Sequence, residues 1–134
     1  MKRQDYFKPL KFTKDQLENY RVSLLQDYRI AKDNNTPQIV LRFSYDCMIK
    51  LAISELARRG YKVRSIPGHH IALLDELAEI VGEADLAIVF NEYRQKRNRE
   101  LYDGYSYATE TEAQALFSLL ESILTRLEYI HTAH

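Results

Sequence analysis

The chain has 134 residues, enough for one domain with a single sizeable core. Its 19 basic and 19 acidic residues cancel, so the molecule as a whole is no electrostatic binder of nucleic acid or membrane, and any basic function must be local. One cysteine, Cys47, excludes an internal disulfide framework and argues against structural zinc; no apolar run reaches the roughly 18 residues of a membrane span.

The opening MKRQDYFKPL lacks the apolar stretch of a signal peptide, so a cytoplasmic protein is expected. Residues 1–12 read as an N-terminal extension lying on the surface, and residues 13–134 as one helical domain. With four glycines and three prolines, the chain is poor in helix breakers. TKDQ at 13–16 is a capping box, and Leu17, Tyr20, Leu24, Tyr28 and Ala31 recur behind it at helical spacing until DNNT. Thr36-Pro37 places a cap and a first-turn proline before a second helix, which runs to Arg59 and stops at Gly60. A shorter third helix begins near SIPGHH and carries Ile71, Leu74, Leu77 and Val81 to Gly82. The fourth starts at Asp85 and ends before Gly104. TETE at 109–112 is a second capping box, opening a fifth helix with Leu116, Leu120, Ile123, Leu127 and Ile130. No segment alternates like a strand. The expected fold is all-α, an antiparallel bundle of about five helices.

Charge interrupts two of these stripes. On the fourth helix the line Leu86, Phe90, Tyr93 continues to Arg97 and Leu101, which puts an arginine beside the apolar face. Arg94, Asn98 and Tyr102 form a polar strip alongside, whereas Lys96 and Arg99 point to solvent. The second helix carries Asp46 and Lys50 within the line Ile39, Phe43, Ile53, Ala57. Two readings follow. Asp46 holds Arg97 inside the bundle, with Lys50 and Asn98 completing a polar network. Alternatively, Arg97 lies at the floor of a cleft and meets a phosphate, which suits its planar guanidinium.

The order of helices, the GHH opening the third and the RQKRNRELYD closing the fourth resemble the HEPN superfamily of small helical proteins, over about residues 16–129. The hallmark of that family is an arginine, a polar residue such as asparagine, and a histidine four to six positions after the arginine. The resemblance implies a homodimer whose two-fold cleft binds RNA or nucleotide phosphates or cuts RNA without metal. It also implies a place in a toxin–antitoxin-like pair with a small nucleotidyltransferase. Arg97 and Asn98 match the start of the hallmark; Tyr102 stands where the histidine is expected. The change matters chemically, because tyrosine, with a reference pKa near 10, is a poor general base at neutral pH.

Candidate residues for proton work or transition-state charge are therefore Arg97, Tyr102 and His69, and for RNA or phosphate binding Arg94, Arg97, Asn98 and Tyr105. His69 and His70 either reach the Arg97 cleft as proton shuttle or phosphate ligand, or serve hydrogen bonding and packing at the start of the third helix. Tyr102, Tyr105 and Tyr107 either stack nucleobases or pack against helix ends with their hydroxyls in water. No metal site is expected, since adjacent histidines do not share a helix face and no carboxylate follows four residues on; no cofactor is implied. Three functions fit: an RNA- or nucleotide-binding HEPN-type protein, a metal-free endoribonuclease, or a non-catalytic dimerisation or adaptor module.

Overall fold

Helix ends decide where this chain turns. In a computed structural model, which describes residues 2–103 and 108–131, helix α1 (Lys14–Lys32) begins at the predicted capping box. The Thr13 hydroxyl accepts from the Gln16 amide at 3.1 Å and the Gln16 side chain accepts from the Thr13 amide at 2.9 Å. Caps of this kind stabilise a helix by about 1 kcal/mol. Helix α2 (Pro37–Arg58) starts on the first-turn proline, although the Thr36 side chain makes no capping bond. It ends at Gly60, whose φ of 84° is the left-handed conformation expected of a terminating glycine.

Helices α3 (His69–Val81), α4 (Leu86–Asp103) and α5 (Glu110–Arg126) complete the bundle, and the fold is all-α as read from the sequence. At α5 the Thr109 hydroxyl accepts from the Glu112 amide, but the Glu112 carboxylate takes the Thr109 hydroxyl proton rather than the backbone N–H of a full box.

The centre of the molecule is α2, which packs on all four other helices. Val40, Leu41, Tyr45, Met48, Leu51, Ala52 and Leu56 are buried around most of its circumference, so a single apolar stripe was the wrong description. Of the predicted line Ile39, Phe43, Ile53, Ala57, with Asp46 and Lys50 within it, Ala57 is buried and the others form the helix's half-exposed seam. A helix enclosed by neighbours is apolar nearly everywhere, and on this seam Asp46 and Lys50 sit where cover is thinner. Likewise Ile71 is exposed, and α3 buries Ala72, Leu73, Leu74, Leu77 and Ala78. On α4, Leu86 and Phe90 are buried, but Leu101 is 59% exposed; the helix runs out beyond the core it starts in.

The first residues do more than lie on the surface. A 3-10 turn (Arg3–Tyr6) leads into β1 (Phe7–Pro9), which pairs antiparallel with β2 (Tyr61–Val63), Phe7 opposite Val63. Three-residue strands are too short to show alternation in sequence. Arg3 forms ion pairs with Glu76 and Glu79 of α3. The Leu10 amide donates to the Gly60 carbonyl at 2.9 Å, and the Arg64 amide to the Tyr6 carbonyl at 2.7 Å. This N-terminal strap pins the connection between α2 and α3.

Near the C-terminal end of α2, Glu55 is 2% exposed, and its charge is fully enclosed by partners. The Tyr129 hydroxyl donates to it at 2.9 Å, Arg58 donates at 3.1 Å, and Arg59 lies at 3.6 Å. Ser54 bonds the same tyrosine oxygen at 2.7 Å. These bonds tie the segment after α5 to the central helix, which a buried carboxylate requires.

Candidate functional site

The loop between β2 and α3 and the outer half of α4 enclose a groove of about 510 Å³. One wall is residues 65–68 with His69, His70 and Ile71; the other is Arg94, Asn98 and Tyr102. The polar strip predicted on the fourth helix therefore faces the histidine pair of the third. Neither element could do this alone. The spacing of four along α4 aligns the strip, and the positive φ of 86° at Gly68 turns the chain so that both histidines start α3 beside it. A Cβ at Gly68 would stand 2.9 Å from the Tyr6 hydroxyl oxygen, so the N-terminal strap closes against the same turn.

Three of the groove side chains are held from behind. Arg94 donates from Nε and Nη2 to the Asn91 side-chain oxygen at 3.0 and 2.9 Å, which fixes the guanidinium and leaves its remaining N–H groups for other acceptors. His69 Nδ1 lies 2.9 Å from the Ile66 carbonyl oxygen, which can only accept, so that nitrogen carries a hydrogen. His70 Nδ1 lies 3.3 Å from the Tyr45 hydroxyl. Burial holds the His70 ring below its usual basicity, and the neighbouring His69 and Arg94 charges add to this. Burial also pushes the Tyr45 hydroxyl up to about 12, only partly offset by Arg94. Tyr45 therefore stays protonated at neutral pH.

The predicted candidates separate on this frame. His69, Arg94, Asn98 and Tyr102 meet at the groove. Arg97 does not line it; half-buried, it acts on Asp46 and Tyr45 of α2. Burial pushes the Asp46 carboxyl up, and Arg97 is the largest opposing influence. The expected polar network is only partly realised, because Lys50 pairs with Asp27 of α1 at 2.9 Å. The nearly buried Asp27 carboxylate needs a cation, and α1 brings it to the Lys50 ammonium. Lys96, expected in solvent, is half-buried and pairs with Glu112 of α5. Tyr102 is 81% exposed, with its ring at the open side of the groove. Tyr105, Tyr107 and His134 lie outside the described residues.

Sequence reasoning gave Tyr45 and Asn91 no role in the site. Tyr45 looks like one more core aromatic, and Asn91 acquires its part only once Arg94 turns back one helical turn. Among the described residues no group of three or more His, Cys, Asp or Glu side chains is placed to hold a metal ion, and no helix is long and apolar enough to cross a membrane. Comparison with family models, curated proteins and solved structures returns no match.

Proposed function

We propose that the groove between α3 and α4 binds the phosphate of single-stranded RNA or of a nucleotide, as in the HEPN-type proteins whose motif the fourth helix resembles. The convergence of Arg94 and Asn98 with His69 and His70, beside the exposed Tyr102 ring, carries this reading. The guanidinium supplies charge and directed donors, the asparagine a further donor, and the tyrosine a face on which a base can stack. A molecule of zero net charge with a single arginine lining the groove favours a short, local contact over tight duplex binding.

On this reading two copies pair along α4, where Ile88 and Leu101 are exposed apolar residues, and a small nucleotidyltransferase is the protein partner. Arg97 then has a supporting role, since its charge balances Asp46 behind the groove.

Fluorescence anisotropy of a short single-stranded RNA at two salt concentrations tests the assignment. Arg94→Ala should weaken binding about tenfold or more and flatten the salt dependence by about one phosphate contact. Unchanged affinity and slope would remove the groove as the site. Light scattering that finds a monomer at micromolar concentration would remove the pairing along α4.

A further inference from the structure

A second cleft, of about 250 Å³, shares no residue with the groove; it lies where the start of α1, the end of α2 and the chain after α5 meet. Helix α1 lines it with Lys14, Leu17, Glu18 and Arg21, which helical spacing sets on one face. Ser54 and Arg58, one turn apart on α2, form a second side, and Leu127 and Glu128 a third. The turn that carries the third side is tight. The Glu128 amide donates to the Thr125 carbonyl at 3.1 Å, and the Tyr129 amide to the Leu124 carbonyl at 2.8 Å. Glu128 takes a φ of 65° there, a conformation that favours glycine, and no other non-glycine residue does so among the described residues.

The partners fix what the cleft has to offer. The Tyr129 hydroxyl has one hydrogen and gives it to Glu55 at 2.9 Å, so Ser54 is the donor across the 2.7 Å contact between the two hydroxyls. Ser54, 2% exposed, therefore presents only lone pairs to the cleft. The charges around it are unequally spent. Arg21 pairs with Glu18 at 3.2 Å, and Arg58 reaches Glu55 at 3.1 Å. The side chains of Lys14 and Glu128 have no partner among the described residues. One unspent cation, one unspent anion, a buried acceptor and two leucines thus share a space at the small end of ligand pockets.

We propose that this cleft binds a free α-amino acid with an aliphatic side chain. The ligand's ammonium donates to the Glu128 carboxylate and to the Ser54 oxygen. Its carboxylate accepts from Lys14 and from the remaining N–H groups of Arg58, and its side chain packs against Leu17 and Leu127. Such a ligand carries both charges and no net one, matching what the cleft leaves unspent. A simple anion would leave Glu128 unmatched, and a simple amine would leave Lys14 so. The bound molecule bridges α1 to the turn after α5, so it raises the melting temperature.

Isothermal titration calorimetry of the full chain with L-leucine, L-isoleucine and L-valine tests this. At least one should bind, and its N-acetyl and amide forms, each lacking one charge, should bind about tenfold more weakly or worse. Glu128→Gln and Lys14→Gln should each cost a similar factor. Glu128→Gly separates binding from folding: relieved of its strained φ, it should melt higher than the wild type yet gain no further stability from the amino acid. Arg94→Ala, in the other groove, should bind the amino acid as the wild type does. No binding of any of the three at millimolar concentration overturns the proposal. Equal binding of the blocked forms, or wild-type binding by Glu128→Gly, overturns it as well.

Discussion

Two polar clusters lean on the same central helix and end in opposite conditions. Around Glu55, charge and hydroxyls are matched by Tyr129, Ser54, Arg58 and Arg59 until the carboxylate is enclosed. Beside the buried Tyr45 hydroxyl, His70, His69 and Arg94 are matched on their inner sides, and all three line a groove. The first cluster fastens the chain end to the core. The second holds chemical groups in place while leaving part of each unspent. Saturation marks architecture, and orderly incompleteness marks a site.

Substitutions should divide along the same line. The largest effect is expected at the closed cluster: Glu55→Ala strands the Tyr129 hydroxyl and unbalances the neighbouring arginines, costing about 3–5 kcal/mol in denaturant unfolding. Tyr129→Phe should cost about 1–3 kcal/mol by the same measurement. If either lowered RNA affinity while leaving stability unchanged, the contrast between the clusters would be lost.

Gly68→Ala should cost about 1–2 kcal/mol, since alanine at a φ of 86° is strained and its methyl meets Tyr6. Unlike the Glu55 variants, it should also weaken RNA binding, because the turn carries one wall of the groove. Arg94→Ala should do the reverse, losing affinity with a stability change within about 0.5 kcal/mol.

The smallest effect concerns pH. His70 is less basic folded than unfolded, so as pH falls below the usual histidine range the unfolded chain gains a proton that the folded chain resists. Stability should therefore fall on acidification, and His70→Gln should flatten that slope in chemical denaturation between about pH 7 and 5. A slope indifferent to the substitution would show that the groove does not hold His70 neutral.

Helix ends were legible in the sequence because capping is local: Thr13 with Gln16, Pro37 and Gly60 each act within a few residues. The strip Arg94, Asn98, Tyr102 was legible because helical spacing alone aligns it. What faces that strip was not. His69 and His70 could be read as helix-start residues, and His69 does bond the Ile66 carbonyl, yet the same contact presents both rings to α4. Tyr45 and Arg97 show the limit most clearly. Their roles depend on which side of α2 is covered, and a helix apolar on nearly every side carries no periodic sign of it.

The N-terminal strap has a consequence in time as well as space. Its strand precedes both helices in the chain but pairs with Tyr61–Val63, so it must wait through those two helices for its partner. Closing that loop of roughly fifty residues is affordable in entropy only once α1 and α2 have folded back on one another and shortened the distance. Tyr6, which lies against the turn at Gly68, is then expected to close on it after the helices. The groove wall is thus expected to form after the helical core, so a label or fusion ahead of Arg3 should act first on the kinetics of forming the site.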